Sequence, residues 1–197
     1  MKKLFVICTL ALGMLAVPQT VSAQGFLKKI AKGLESVNKS LDNANTKVLV
    51  ATGEAKIQED SVVVLNPMHR QFDVELLGAY GVSTSENYGN VELVLKVTMK
   101  APETSIGFGG KTGSQQTIAF DGDGNSYKMA NASTWNSFDV TEGIPAKIVL
   151  NGDYAFQKVH KTEFLPIIKL FTHIAYESGK QGELQFKNVP VHWDVEH

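Results

Sequence analysis

The sequence is poor in cysteine and has almost no excess of either charge. Its 197 residues include one cysteine, 19 Lys and Arg side chains and 20 Asp and Glu side chains, for a formal net charge of −1. One cysteine excludes an internal disulfide framework and a zinc site built from several thiolates. The balanced charge argues against a basic nucleic-acid-binding protein. The composition, 43% hydrophobic and 20% charged, is typical of a folded chain.

The N-terminus has the pattern of an export signal. Two lysines precede an apolar run from Leu4 to Val17, and a small-residue cleavage site ends at Ala23. The run is shorter than the roughly 20 apolar residues that a membrane-spanning helix needs. We therefore predict a signal peptide over residues 1–23 and a periplasmic or secreted protein. Cleavage also removes Cys8, the only cysteine.

Residues 24–45 have the period of one amphipathic helix. Apolar side chains recur every three or four positions and share one face, at Phe26, Ile30, Leu34, Val37 and Leu41. Three interpretations stay open: the helix packs on the following domain, it is a partly ordered spacer, or residues 25–45 make peripheral contact with an anionic membrane surface.

From residue 46 onward the hydrophobic period changes to two, which is typical of strands. Residues 164–176 are apolar on both faces and fit either a buried strand or a short helix. Short segments joined by Gly, Pro, Asn and Asp predict one all-β, antiparallel sandwich domain over residues 46–197. The predicted strands cover residues 48–57, 61–65, 71–80, 91–100, 116–120, 126–129, 136–140, 145–150, 183–187 and 191–195, with a bend or break at 188–190.

The stretch from Val91 to Trp193 resembles the immunoglobulin-like domains of small, uncharacterised bacterial secreted proteins and lipoproteins. The matching segments are VELVLKVTMK, AFDGDGNSYKM, VTEGIPAKIVL and FKNVPVHW. The resemblance covers about half of the chain and implies an immunoglobulin-like sandwich. It implies no catalytic residues, because that group shares no catalytic motif.

A glycine-rich segment from Ser105 to Thr112 matches only the end of a phosphate-binding loop. Ser105 stands where that motif has its first glycine, and the following residues have a strand pattern rather than the helix that would face a phosphate. We interpret this segment as a flexible loop between strands.

Three residues resemble the start of a calcium loop, namely Asp121, Asp123 and Asn125. The glycine at position 6 and the bidentate acid at position 12 of such a loop are missing. An acidic hairpin turn explains the segment more simply. A weak calcium site is the alternative, and no other cofactor is expected.

Two aromatic residues and one serine complete the candidate sites. Tyr127 and Trp135 lie near predicted strand ends, where aromatic rings can form a ligand-binding platform or pack into the core. Ser61, in the tripeptide Asp60-Ser61-Val62, matches a bacterial O-glycosylation signal.

No motif for nucleophilic or metal catalysis is present, so the chain is not expected to be an enzyme. The leading hypothesis is an exported, non-enzymatic envelope protein that binds another protein or a surface component. The alternatives are a carbohydrate-binding or weakly calcium-dependent module that uses Tyr127, Trp135 and the Asp121–Asn125 turn, and a hydrolase of unrecognised type.

The export signal leads to a direct prediction. Expression of the full chain in a bacterial host should yield a processed protein that begins at Gln24, because signal peptidase cuts after small residues. Intact mass and N-terminal sequencing of the exported fraction measure this. A protein recovered only with Met1 to Ala23 attached would contradict the prediction.

Overall fold

The computed structural model describes residues 49–58, 61–102, 105–112, 115–131, 134–174 and 180–196. The predicted signal peptide (1–23) and amphipathic helix (24–45) lie outside the described residues. The all-β prediction is confirmed: strands make up most of the described chain, and helical geometry among the described residues is limited to residues 49–52, Ser61 and the 3-10 turn Gly152–Tyr154.

The described residues form 14 strands, which are numbered in chain order. They are β1 (Ala55–Ile57), β2 (Val63–Leu65), β3 (Phe72–Ser83), β4 (Tyr88–Met99), β5 (Ser105–Gly109), β6 (Lys111–Thr112), β7 (Gln115–Gln116), β8 (Ile118–Phe120), β9 (Ser126–Lys128), β10 (Trp135–Asp139), β11 (Pro145–Leu150), β12 (Phe156–His160), β13 (Phe164–Ile174) and β14 (Gln181–Trp193).

Twelve of these strands form one mixed sheet, and β6 pairs separately with β7. The main path runs β10-β5-β13-β14-β3-β4-β11. Off this path, β2 joins β14 to β1, β8 lies between β13 and β9, and β12 pairs with β4. The prediction of a purely antiparallel sheet is wrong, because β14 and β3 run parallel over Val191–Trp193 and Ala79–Gly81.

The core lies between the two halves of this sheet. The predicted alternation along β4 is confirmed, since Val91, Leu93, Leu95, Val97 and Met99 are all buried. Burying a side chain of this size stabilises the fold by about 1.5–3 kcal/mol. These side chains belong to one cluster with residues from the other half of the sheet, including Ile106, Phe108, Leu165, Ile168, Leu170, Leu184 and Phe186.

The predicted strand over residues 48–57 is wrong in its first half. Residues 49–52 are helical, and β1 begins only at Ala55. Gly53 ends the helical turn with a φ of +82°, and its N–H donates to the Val50 carbonyl (3.2 Å). A short apolar run suits a helical turn as well as a strand, so periodicity alone does not separate the two.

The interpretation of residues 105–112 as a flexible loop is also wrong. Ser105–Gly109 forms β5, which lies between β10 and β13, and its Ile106 and Phe108 side chains are fully buried. The strand ends at Gly109 and Gly110, whose φ values are +85° and +72°. Its two large side chains alternate with small residues, so the glycine content concealed a central strand.

The remaining predictions concern the turns between strands and the strands near the C-terminus. The hairpin of β8 and β9 around the turn 121–125 is confirmed. Residues 141–144 also form a turn, and it carries the chain from β10, which pairs with β5, to β11, which pairs with β4. Residues 164–174 form a strand. Strand β12 was not predicted; its Lys158 has a φ of +52°, and its register with β4 shifts there.

Trp193 ties the end of β14 to the hairpin of β3 and β4. Its ring lies directly over Gly81 and Gly89, and its indole N–H donates to the Thr162 carbonyl (2.8 Å). A side chain at either glycine would meet the ring closer than atoms can approach. Two glycines on neighbouring strands thus make room for one tryptophan.

We predict that Gly89→Ala destabilises the protein by about 1–3 kcal/mol, because the added methyl group would collide with the Trp193 ring and the Val82 carbonyl. Urea unfolding followed by tryptophan fluorescence measures the loss. Gly122→Ala is the matched control, since a methyl group there meets nothing within 4 Å; its effect should stay within about 0.5 kcal/mol. Equal stability of both variants would contradict the packing of Trp193.

Candidate functional site

On the edge away from β13, strand β14 pairs first with β2 and then with β3. The three strands β14, β2 and β3 therefore form a fork. Gln185–Lys187 pair with β2, and Val191–Trp193 pair with β3. Between them, Asn188 has a φ of +55°, a conformation that asparagine tolerates better than most residues. Pro190 has no N–H, and it lies where β14 has left β2 and has not yet reached β3. The predicted break at 188–190 is therefore a switch within one continuous strand.

Both strands of the fork change the face that they bury. In β14 the buried positions shift from Leu184 and Phe186 to Val189 and Val191. In β3 they shift from Phe72 and Val74 to Ala79 and Gly81, because Leu77 is an extra residue where the register with β4 shifts. An extra residue inverts the alternation and bends the strand. The bends leave a gap between β1 and the first half of β3.

An open groove with a volume of about 640 Å³ occupies this gap, and we call it the fork groove. Its wall is polar on the side of β4 and apolar at the bulge of β3, where Leu77 is 43% exposed. The lining residues are Lys56, Ile57, Gln58, Val62, Asp73, Val74, Glu75, Leu76, Leu77, Gly78, Ala79, Lys96, Thr98, Pro190 and His192.

Two side-chain amides bridge the gap where no strand pairing exists. The Gln58 amide donates to the Leu76 carbonyl (3.3 Å) and accepts from the Leu76 N–H (3.0 Å). Nearer the start of β3, the Asn66 amide donates to the Phe72 carbonyl (2.8 Å). Buried or half-buried backbone groups need partners, and these amides supply them. The edge of β3 is thus satisfied by side chains rather than by a neighbouring strand.

Ion pairs line one wall of the fork groove. The two carboxylate oxygens of Asp73 receive Lys56 (2.6 Å) and Lys100 (2.9 Å), and Lys96 pairs with Glu75. Burial raises the pKa of the Asp73 carboxyl, but the hydrogen bonds and positive charges of both lysines outweigh burial and hold it below its usual value. The Asp73 carboxylate is therefore an ionised partner of two lysines, and the Glu75 carboxylate forms an ion pair with Lys96.

Two lysines lie next to each other on this outward face. Lys147 of β11 lies directly opposite Lys96 of β4, and neighbouring like charges in a sheet disfavour the pairing. Among the described residues, no carboxylate forms an ion pair with Lys147. Of the lysines 56, 96, 100 and 147, those at 56 and 96 are among the residues that line the fork groove.

The open end of the fork groove is shaped by aromatic rings. The ring of Tyr80 covers Gly78 so closely that a side chain at residue 78 would have to displace the ring. His192 lines the groove, and its ring lies 5.9 Å from that of Tyr80, between ring centres. Tyr80 of β3 and His192 of β14 thus form an aromatic edge beside the groove.

The residues predicted as a calcium site are used inside the β8–β9 hairpin. Oδ1 of Asp121 accepts from the N–H groups of Asp123 (3.0 Å) and Asn125 (2.9 Å). Oδ2 accepts from the Asn125 amide (2.8 Å) and from the Tyr127 hydroxyl. The Asp121 carboxylate is buried and accepts four hydrogen bonds, so the turn residues organise the hairpin.

Neither predicted aromatic ligand residue offers a free ring. Tyr127 is only 8% exposed, and burial together with the Asp121 carboxylate raises its pKa to about 12. Trp135 is half-buried in β10, where its ring stacks on His173 (5.0 Å) and packs against Phe171 (5.3 Å). The fold brings Tyr127 into hydrogen-bonding contact with Asp121, whereas Trp135 packs against Phe171 and His173.

Ser61, the predicted glycosylation site, lies in the turn before β2. It is half-buried and has a φ of +62°. Its neighbour Asp60 lies outside the described residues. None of the sequence-predicted site residues lines the fork groove, although Val62, next to Ser61, does.

The fork groove had only weak signals in the sequence. Adjacent leucines followed by glycine, Leu76-Leu77-Gly78, break the alternation of β3 and mark its bulge. Asn188 and Pro190 mark the switch in β14. No local pattern shows that Gln58 crosses to Leu76, because that contact depends on how β1 and β3 are placed.

The described strands place the chain among all-β proteins with a mixed sheet. No protein-family model matches the chain, and no curated protein is significantly similar to it. In the part of the chain that the structure describes, no three His, Cys, Asp or Glu side chains are grouped to hold a metal ion. No helix within those same ranges has the length and apolar character needed to cross a membrane.

We predict that Asp121→Asn costs about 1–2 kcal/mol at pH 7, because it disturbs four hydrogen bonds to a buried carboxylate. Burial raises the Asp121 pKa, but the hydrogen bonds from Tyr127, Asn125 and Asp123 lower it further. A lowered folded-state pKa gives stability that is present above the unfolded value of about 3.9 and is lost as pH falls below it.

Urea unfolding of wild type and variant at pH 7 and at pH 3 tests this prediction. The difference in the free energy of unfolding should shrink at pH 3. Asp123→Asn is the control, since the Asp123 side chain is exposed and accepts no bond in the hairpin network. A difference that is equal at both pH values would contradict the role of the Asp121 charge.

Proposed function

We propose that the chain is an exported, non-enzymatic binding protein whose fork groove recognises a polypeptide segment of another envelope protein. The observation that carries this proposal is the groove itself, an opening of about 640 Å³ between two strands of one sheet that are not hydrogen-bonded to each other. Binding sites are typically concave, with an apolar surface and a few fixed polar groups. Export rests on the predicted signal peptide.

We also propose an immunoglobulin-like architecture for residues 46–197. Two halves of a sheet enclosing one hydrophobic core support it, as does the hairpin of β8 and β9 within the segment of resemblance. Domains of this kind bind partners through edges and loops on a rigid core, which agrees with a groove at a strand edge.

The other hypotheses have less support from the described residues. Hydrolysis by paired carboxylates needs one carboxyl group that donates a proton, whereas Asp73 and Glu75 are both paired with lysines. A sugar platform needs an open aromatic face, whereas Trp135 stacks on His173. A calcium loop needs free carboxylate oxygens, whereas both oxygens of Asp121 accept hydrogen bonds.

We predict that selection from a displayed library of random peptides on the purified chain enriches a common sequence pattern. Leu77→Asp should weaken binding of an enriched peptide at least tenfold, because it places a charge on the exposed apolar bulge in the groove. Fluorescence anisotropy of a labelled enriched peptide measures the affinity.

Val82→Asp is the matched control on the same strand. Val82 is 50% exposed, like Leu77 an outward apolar residue of β3, but it does not line the groove. Peptides that bind both variants as well as wild type would show that the fork groove is not the site. A library that yields no enrichment, together with binding on a glycan array, would favour the carbohydrate alternative.

A further inference from the structure

We propose that the chain's own residues 24–45 cover the fork groove in the free protein, with their apolar face docked across the exposed bulge of β3. The proposal rests on the proposed function and specifies how that binding site is regulated. Amphipathic helices commonly bind in this way, with the apolar face laid into a hydrophobic groove. A polypeptide partner then has to displace the chain's own segment before it can bind.

The two strands that border the fork groove expose large apolar side chains in it. Ile57 of β1 is 48% exposed, and Leu77 at the bulge of β3 is 43% exposed. Covering such side chains removes apolar surface from water, which favours docking. A helix with its side chains is about 10–12 Å across, so a groove of about 640 Å³ takes the side chains of one helix face rather than the whole helix.

Residues 24–45 have an apolar face of the matching kind. Leu34, Val37 and Leu41 follow the spacing i, i+3, i+7 with which helices anchor in a groove. Lys32 and Lys39 fall on the opposite face of the same predicted helix, because each residue advances it by about 100°. A helix docked through these three apolar anchors would therefore keep its lysines in water.

The chain enters the described structure beside the fork groove. Residues 46–48 link the segment to the helical turn at residues 49–52, which leads into Gly53. Gly53 lines a small crevice that shares Lys56 and Asp73 with the groove. A short link of this kind gives a tethered segment an effective concentration in the millimolar range. The segment therefore competes strongly with any partner that is not attached to the chain.

Opposite charges favour contact between the segment and its own domain. Residues 24–45 carry four lysines and two carboxylates, whereas residues 46–197 carry 13 basic and 18 acidic side chains. At physiological salt such charges attract over about 8 Å. The anionic surface of a membrane would repel the acidic domain, so the same charges favour the groove over a membrane as the partner of the segment.

The first test uses the processed chain from Gln24, which has no cysteine of its own. Oxidation of the reduced Val37→Cys, Leu77→Cys protein with glutathione should form an internal disulfide, because two cysteines join when their Cα atoms lie within about 7 Å. Lys39→Cys with Leu77→Cys is the matched control on the opposite helix face, and its disulfide should form at least tenfold more slowly. Thiol titration and non-reducing electrophoresis at dilute protein measure both rates.

The second test measures whether release of the segment opens the groove. Val37→Asp puts a charge into the apolar face, so an enriched library peptide should bind at least fivefold more tightly, since apparent affinity rises with the fraction of open grooves. Asn43→Asp adds the same charge on the opposite face and should leave the affinity within about twofold of wild type. Fluorescence anisotropy measures both, and Val37→Gln is used if Val37→Asp does not fold.

The outcomes separate this inference from the function on which it rests. Equal disulfide rates for Val37→Cys and Lys39→Cys, together with a peptide that binds wild type and loses affinity in Leu77→Asp, would overturn the inference and leave the groove as a binding site. A fast Val37→Cys disulfide, together with no enriched peptide for wild type or Val37→Asp, would support the docked segment and overturn the binding of another protein.

Two other results would also overturn the inference. A Val37→Cys, Leu77→Cys protein that forms only disulfide-linked dimers at dilute concentration would identify a second copy of the chain as the occupant of the groove. Binding of wild type to vesicles of anionic lipid that Val37→Asp abolishes, without a fast internal disulfide, would identify a membrane as the partner of residues 24–45.

Discussion

The structure depends on one strand, β14, that pairs with two neighbours in succession. Residues 181–190 of this strand pair with β13, residues 185–187 also pair with β2, and the last three residues pair with β3 in the one parallel pair of the main path. A strand can do this only if its buried face changes on the way, and the left-handed conformation at Asn188 provides that change. The bulge at Leu77 makes the matching change in β3, so both halves of the sheet keep their apolar side chains in one core.

The same bends that close the core prevent full pairing at its edge. Where β2 and β3 diverge from β14, backbone groups of β3 would be left without partners, and the amides of Asn66 and Gln58 satisfy them. Fixing these two side chains costs conformational entropy, and a groove remains between the strands. A continuous strand in that position would instead have closed the barrel-like sheet. The fork groove is thus a consequence of how the fold is closed.

Much of the fold was predictable because buried and exposed side chains alternate along a strand, and this alternation is visible in a short stretch of sequence. The alternation of Val91 to Met99 predicted β4, and Asp121-Gly122-Asp123-Gly124 predicted the hairpin of β8 and β9. The misses have physical reasons: small residues concealed β5 around Ile106 and Phe108, and the irregular backbone at Lys158 broke the pattern of β12. Candidate sites were less predictable, because acidic and aromatic side chains such as Asp121 and Tyr127 satisfy each other as readily as they bind a ligand.

The sequence by itself determined the all-β class, most strand positions and the lack of a thiol-based framework, since these depend on composition and on the spacing of neighbouring residues. Tertiary structure alone decided which strands pair, that β14 and β3 run parallel, and that Gln58 meets Leu76 across a groove. Contacts of that kind join residues far apart in the chain, and they depend on the bends at Leu77 and Asn188 acting together. A period-two pattern shows which face of a strand is buried, but it does not show which edge is left open.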